Sequence, residues 1–170
     1  MSETVIQVTS LGKRIKGKTI LEDISFEINQ GDCVALIGPN GAGKTVLMSC
    51  ILGDKKPSSG QVLIDGKAGK AKNKIAVLLQ ENTIPNSLKV EELITFFQSI
   101  SDNPLTNQEV QELLQFKEDQ YQQFADKLSG GQRRLLAFVL CLIDKPKILF
   151  LDEPTAGMDT STRQRFWEIV

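Results

Sequence analysis

A glycine-rich stretch in the first third of the chain limits its possible folds more than any other feature. Residues 38–45 read GPNGAGKT and satisfy the pattern G-x-x-x-x-G-K-[ST]. The apolar burst 33–37, a predicted strand, precedes it, and a predicted helix over 44–52 follows, with Gly53 as its stop signal. Glycines let a backbone wrap round phosphate groups, while N–H groups at a helix start point at the anion. Strand, loop and helix in this order predict a phosphate-binding α/β unit.

The side chains and the backbone of this loop have separate expected roles. Lys44 can reach the β- and γ-phosphates of a nucleotide, and the Thr45 hydroxyl can ligate Mg²⁺. We expect the phosphates to lie against the whole stretch, which consists of Gly38, Pro39, Asn40, Gly41, Ala42, Gly43, Lys44 and Thr45.

A second motif ends an apolar burst near the carboxyl end of the sequence. Residues 148–151 read ILFL, typical of a buried parallel strand, and Asp152 and Glu153 follow directly. Sheets of α/β proteins bind ligands at the carboxyl ends of their strands. Asp152 would hold hydrated Mg²⁺, and Glu153 would polarise an attacking water. A carboxylate is the expected base because the chain contains no histidine.

Composition excludes several other classes of protein. The absence of histidine removes His-dependent metal sites and Ser–His or Cys–His nucleophile pairs. Lys and Arg number 20 and Asp and Glu 21, so the net charge of −1 gives no sign of a nucleic-acid partner. The lysines within 67–74 predict a solvated hairpin tip. The longest apolar run, 135–143, is too short to span a bilayer, so any membrane crossing would come from a partner.

The order of predicted elements indicates one α/β unit with a helical insertion. Short strands at 5–8, 20–28, 33–37 and 62–64 come first. Amphipathic helices follow at 90–100 and 109–116. A strongly apolar helix at 133–143 precedes the strand at 148–151, and a last helix is predicted over 162–170.

A third motif, Leu128-Ser129-Gly130-Gly131-Gln132, lies between the other two. With it the sequence resembles the nucleotide-binding domain of ATP-binding cassette (ABC) transporters. The matching motifs are the Walker A loop 38–45, the Q-loop Gln80 after the apolar residues 77–79, the signature 128–132, the Walker B pair Asp152-Glu153 and the D-loop 156–159. The resemblance covers the chain from about Val5 to its end.

The resemblance implies an α/β P-loop NTPase core with an N-terminal antiparallel β subdomain and an inserted α-helical subdomain. It places a single domain over 1–170, with the core at 1–85 and 133–170 and the insertion at about 86–132. The family's switch histidine lies past the D-loop, beyond a further helix and strand, whereas this sequence stops at Val170. The resemblance therefore implies a truncated domain, and we expect these 170 residues to bind nucleotide with little turnover.

The resemblance also implies cofactors, partners and further site residues. ATP and Mg²⁺ would bind between two domains paired head to tail, with the Walker A loop of one closed over by the signature of the other. Gln80 would contact Mg²⁺ and the attacking water, Asp159 would support the opposite site, and the helical insertion would contact a membrane permease at the cytoplasmic face. The signature residues expected at the γ-phosphate are Ser129, Gly130, Gly131 and Gln132. Ile15 stands where the family often has an adenine-stacking aromatic residue.

Alternative functions predict features that can be compared with the sequence. A soluble ABC protein of translation or DNA maintenance would carry two cassettes or a long coiled coil, and the sequence shows neither. A GTPase would carry N-K-x-D, whereas residues 73–76 read NKIA. Only 48 positions separate Gln80 from Leu128, and this short insertion resembles that of the family's single-cassette exporters more than that of its nutrient importers, so the resemblance implies an exporter.

Overall fold

The computed structural model describes residues 3–68, 75–80, 84–85 and 87–170. They form two compact units, Met1–Lys72 and Asn73–Val170. Part of the predicted lysine-rich hairpin tip and the first two residues of the NKIA stretch lie outside the described residues.

An antiparallel sheet forms most of the first unit. Strands β1 (Thr4–Ile15) and β2 (Lys18–Asn29) make a hairpin whose two-residue turn, Lys16-Gly17, has φ angles of +50° and +79°. Two left-handed residues give the turn the twist that joins antiparallel strands without splaying them. Strand β3 (Ser59–Ile64) pairs with the other edge of β1, and the short β4 (Lys67–Ala68) completes the order β2-β1-β3-β4.

Helix α1 (Lys44–Ile51) follows the glycine-rich loop, as predicted. The predicted strand over 33–37 is wrong, because the structure assigns no strand there and leaves these residues exposed. Ile37 is 90% exposed. Apolar residues form a strand only where a neighbouring strand supplies hydrogen-bond partners. The sheet of this unit pairs β1 to β4 with one another and includes none of these five residues.

The described residues of the second unit form two parallel strands and a series of helices. Strand β5 (Ile75–Leu78) pairs in register with β6 (Ile148–Leu151), from Ile75 opposite Ile148 to Leu78 opposite Leu151. The helices are α2 (Val90–Ser99), α3 (Asn107–Leu114), α4 (Glu118–Gln122), α5 (Gly130–Leu142) and α6 (Thr160–Ile169), with a single 3₁₀ turn at Ala125–Lys127.

Local hydrogen bonds place the helix starts earlier than the apolar pattern indicated. Thr106 Oγ1 accepts from the N–H of Glu109, and the Glu109 carboxylate accepts from the N–H of Thr106, so α3 begins at Asn107 rather than at 109. Ser129 caps α5 in the same way, and that helix begins three residues before the predicted start at 133. Capping residues are polar, so they lie outside the periodic apolar stretch.

Helix α5 forms the centre of the core of the second unit. Leu136, Phe138 and Val139 are fully buried, and the Phe138 ring lies 4.3 Å from the ring of Phe166 on α6, centroid to centroid. In the described part of the chain, no helix combines the length and hydrophobicity needed to cross a membrane.

Candidate functional site

The glycine-rich loop is exposed and contains two left-handed residues. Gly41 has φ +82° and Gly43 has φ +91°, and residues 38–42 are all exposed. Because α1 begins at Lys44, the N–H groups of its first turn have no partner within the helix. Left-handed residues next to such N–H groups form a concave surface that binds anions. The geometry of the loop therefore fits the phosphates predicted for it.

The two left-handed glycines have different surroundings. A Cβ atom on Gly41 would meet no heavy atom within 4 Å. A Cβ atom on Gly43 would lie 3.0 Å from Leu21 Cδ2 and 3.2 Å from the Ile20 carbonyl oxygen on β2. Gly41 thus leaves space on the loop surface, whereas Gly43 lets the loop pack against the sheet.

The Lys44 side chain folds back over its own loop. Its Nζ donates to the carbonyl oxygens of Gly38 at 2.7 Å and Pro39 at 3.0 Å. These two bonds hold the ammonium beside the exposed backbone of the loop, where a phosphate would meet it. The Thr45 hydroxyl is exposed one residue further along α1.

In the second unit, the predicted Q-loop and Walker B residues meet directly. Gln80 Nε2 donates to Glu153 Oε2 at 3.0 Å. The two side chains follow the in-register strands β5 and β6, and the Asp152 N–H donates to the Leu78 carbonyl at 2.9 Å, which extends the pairing beyond β6. Glu153 itself has φ +45°, a left-handed conformation that non-glycine residues rarely adopt.

The oxygen donors of this region fit Mg²⁺. Mg²⁺ prefers oxygen ligands and is usually held by one or two carboxylates together with substrate phosphates. The Gln80 amide directs its NH₂ group at Glu153, which leaves its Oε1 as an acceptor. In the described ranges no group of three or more His, Cys, Asp or Glu side chains is placed to hold a metal ion.

The signature forms the start of α5. Ser129 Oγ accepts from the Gln132 N–H at 3.2 Å, and the Ser129 N–H donates to Gln132 Oε1 at 3.2 Å. The serine proton remains available to a further acceptor. Gly130 is exposed, and a Cβ atom there would have no neighbour within 4 Å. The start of α5 thus presents a hydroxyl and helix N–H groups, which are groups that can bind an anion.

Asp159 is the N-cap of α6. Its Oδ1 accepts from the Thr162 N–H at 2.9 Å and from Ser161 Oγ at 2.6 Å, and its Oδ2 accepts from Thr162 Oγ1 at 2.9 Å. The hydrogen bond from Ser161 has the largest effect on the pKa of the Asp159 carboxyl. Together with the bonds from Thr162, it holds that pKa far below its usual range. A Cβ atom on Gly131 would lie 3.4 Å from Asp159 Oδ2, so the signature and the D-loop are in close contact.

Arg134, which is 8% exposed, belongs to none of the predicted motifs. Its guanidinium donates to carbonyl groups that follow both β5 and β6, next to Gln80 and Glu153. A charged residue within the apolar stretch of the helix at 133–143 was the signal that could have revealed it.

The structure therefore brings together some of the predicted site residues. The phosphate loop, Lys44 and Thr45 belong to the first unit. In the second unit Gln80 contacts Glu153, and the signature contacts the D-loop. Ile15 ends β1 opposite Lys18 and is 36% exposed.

Comparison with known proteins defines the class. A family model described as ABC transporter matches residues 21–156, so the chain belongs to the ABC transporter family. A solved structure of a dimeric ATP-binding cassette in a post-hydrolysis state, bound to ADP and Pi, matches 96% of this chain and 80% of that chain, with a TM-score of 0.78 and 20% identity. The α/β P-loop NTPase fold implied by the resemblance is confirmed.

Two individual relatives are similar over nearly the whole chain. Nod factor export ATP-binding protein I of Ralstonia nicotianae is 33% identical over 178 residues, covering 98% of this chain and 55% of that protein. Zinc import ATP-binding protein ZnuC of Rickettsia bellii is 30% identical over 172 residues, covering 100% of this chain and 71% of that protein. The chain spans about half the length of the Nod factor export proteins that it matches.

Proposed function

We propose that this chain is the ATP-binding and ATP-hydrolysing part of an ABC transporter. The observation that carries the proposal is the 3.0 Å hydrogen bond between Gln80 and Glu153 at the end of two parallel strands. Family membership, the phosphate loop and the capped signature helix support it. The proposal includes a single cassette over 1–170, with the helical insertion at about 86–132.

The phosphate loop would bind the triphosphate. The backbone N–H groups at the start of α1 and the Lys44 ammonium would neutralise the β- and γ-phosphates. Because Lys44 Nζ already lies beside the carbonyls of Gly38 and Pro39, a bound phosphate needs only a local change of its hydrogen bonds. Thr45, Gln80 and Asp152 would hold Mg²⁺, whose chemistry is to neutralise charge that develops on the phosphate oxygens.

Glu153 would act on the attacking water, with Gln80 orienting it. The water oxygen forms a bond to the γ-phosphorus, the bond from that phosphorus to the bridging oxygen breaks, and the water proton passes to Glu153. ADP and inorganic phosphate leave. The hydrogen bond from Gln80 holds one carboxylate oxygen of Glu153, so the other is left to accept this proton.

The proposed assembly is a head-to-tail dimer on a permease. A signature that offers the Ser129 hydroxyl and helix N–H groups suits the γ-phosphate of a nucleotide on a second copy. The dimeric state of the matched cassette structure supports this arrangement. Binding would close the pair and hydrolysis would reopen it, at the cytoplasmic face of a membrane. Asp159 would support the opposite site from the D-loop.

Substitution of Glu153 in the full-length protein tests the hydrolytic role. We expect Glu153→Gln to lower Mg²⁺-dependent ATP hydrolysis by about 100-fold or more while ATP affinity survives. Glu112→Gln, an exposed residue of α3, is the matched control and keeps the wild-type rate. Phosphate release and nucleotide titration measure the two quantities. A wild-type rate in Glu153→Gln would show that another group acts on the water.

Substitution of Lys44 tests the binding role separately. Lys44→Ala should weaken ATP binding, whereas Lys18→Ala, an exposed lysine at the start of β2, should not. Full affinity in Lys44→Ala would remove that lysine from the phosphate site.

Export is the proposed direction of transport. The short insertion and the similarity to Nod factor export protein I support it, while the similarity to ZnuC supports the opposite direction. Small molecules inside and outside cells can be compared between wild type and Glu153→Gln. Accumulation inside the variant cells supports export, and depletion there supports import.

A further inference from the structure

Arg134 is the one buried charged side chain in the described part of the structure. It lies one turn into α5, four residues after Gly130 of the signature. Its burial lowers the pKa of the guanidinium from its usual value, although the group stays charged at any working pH. Burial of a charge is costly unless hydrogen bonds replace water, so its partners define its role.

Among the described residues, its hydrogen-bond partners are all backbone carbonyl groups at the ends of the two parallel strands. After β5, Nη1 donates to Leu79 and, at 3.1 Å, to Gln80. After β6, Nη2 donates to Asp152 at 2.9 Å and to Glu153 at 3.3 Å, and Nε donates to Pro154 at 3.1 Å. One planar guanidinium thus bridges the backbone of the Q-loop and the backbone of the Walker B motif.

These contacts do more than fill space in a core. A buried apolar side chain of similar volume often stabilises a fold as well as a buried charge does. The rigid fork of a guanidinium, however, fixes several acceptors relative to one another, which an apolar side chain cannot do. Two of those acceptors belong to Gln80 and Glu153, whose side chains are also hydrogen-bonded to each other.

The backbone at Glu153 needs such a restraint. Its φ of +45° is a strained conformation for a residue with a Cβ, and surrounding contacts must maintain it. The Glu153 carbonyl accepts from Arg134 and from the Ala156 N–H at 3.2 Å. Release of the first bond would let the carboxylate move away from Gln80.

We propose that Arg134 is a positioning residue for hydrolysis, which links the signature helix to the Gln80–Glu153 pair. The inference rests on the proposed function. If α5 shifts when the signature binds a nucleotide, the guanidinium would move, and the carbonyl groups of Gln80 and Glu153 would move with it. Arg134 itself touches neither water nor nucleotide in this role.

Two substitutions in the full-length protein test this role. Arg134→Lys keeps a positive charge but cannot span both strand ends, and Arg134→Met removes the donors while it keeps most of the volume. We expect kcat for ATP hydrolysis to fall by about 10- to 100-fold, because small misplacements of reacting groups have effects of this size. KM for ATP should change by less than about 3-fold, because the phosphate loop is intact. A kcat within about 2-fold of wild type in folded Arg134→Lys would overturn the proposal.

Arg165 provides the matched control. Its guanidinium on α6 also donates to backbone carbonyls, those of Glu112 and Leu113, but none of these lies at β5 or β6. Arg165→Met should lower thermal stability without the loss of kcat. An equal loss in both variants would mean that any broken arginine–carbonyl contact reduces the rate, and would overturn the proposal.

A double-mutant cycle shows whether Arg134 acts through Glu153. With Glu153→Gln in place, Arg134→Lys should change the residual rate by less than about 3-fold, because the group that it positions has already lost its function. If the double variant loses rate by the product of the two separate losses, the proposal is overturned.

A measurement without hydrolysis separates this inference from the proposed function. Amide hydrogen exchange in Arg134→Lys should rise at Asp152 and Ala156, whose N–H groups donate to Leu78 and Glu153, but not in α2. Unchanged exchange at both amides would overturn the inference even in an active ATPase. If the protein hydrolyses no ATP, the proposed function is refuted. Raised exchange at these two amides in Arg134→Lys would still support the positioning contact.

Discussion

The contact between Gly43 and β2 leads to a sharp prediction about stability. In Gly43→Ala the new Cβ would lie 3.0 Å from Leu21 Cδ2 and 3.2 Å from the Ile20 carbonyl oxygen. The φ of +91° adds a cost of about 1–2 kcal/mol for a residue with a Cβ. Crowding against a side chain and a backbone atom of β2 adds about 1–3 kcal/mol. We therefore expect the free energy of unfolding of the first unit to fall by about 2–5 kcal/mol.

Gly41→Ala is the matched control. Its φ of +82° is nearly the same, but its Cβ would meet nothing within 4 Å. Only the backbone cost of about 1–2 kcal/mol applies. Urea unfolding of both variants is followed by far-UV circular dichroism. Tryptophan fluorescence does not suit the first unit, because the single tryptophan, Trp167, belongs to the second unit. Equal losses within about 0.5 kcal/mol would refute the packing of Gly43 against β2.

Two further predictions concern the second unit. Phe166→Ala should lower the stability of this unit by about 3–5 kcal/mol, because removal of a fully buried ring packed on Phe138 would leave a cavity. Trp167 fluorescence during thermal unfolding measures the loss. A change below about 1 kcal/mol would contradict this packing. Asp159→Asn should remove a pH-dependent contribution to stability. Because folding lowers the pKa of Asp159, that contribution is complete above the unfolded value of 3.8 and is lost as pH falls through the lower folded value. The difference in stability between wild type and variant should therefore be constant near neutral pH and shrink below about pH 4. A decline already near pH 6 would show that the pH-dependent contribution does not come from Asp159.

Features that depend on neighbouring residues in the sequence could be predicted. The start of α1 directly after the glycine-rich loop and the parallel strand β6 both follow from local residue types, although only Ile148 of β6 is buried and its other three residues are half-buried. The other helices were also predicted, with the exception of the short α4. The predicted starts of α3 and α5 were wrong because the capping residues Thr106 and Ser129 stand outside the apolar pattern.

Features that depend on distant partners could not be predicted in the same way. The apolar stretch 33–37 has the composition of a strand, but strand formation requires a partner that its sequence does not specify. In the sequence Arg134 is a charged residue within an apolar helix, and its role could not be predicted. Its five carbonyl partners among the described residues lie 18 to 55 residues away in the chain. The motifs predicted roles for Gln80 and Glu153, but only the fold shows their hydrogen bond.

The pairing of β5 with β6 has a consequence for the order of folding. Gln80 and Glu153 are 73 residues apart, and the helices between them form from local contacts. Closing a long loop costs entropy that the completed parallel pair offsets, so we expect this contact to form late in folding. A nascent chain released before residue 153 would contain the phosphate loop and the signature but no Gln80–Glu153 pair. An incomplete copy could thus bind nucleotide but would lack the pair proposed to hydrolyse it.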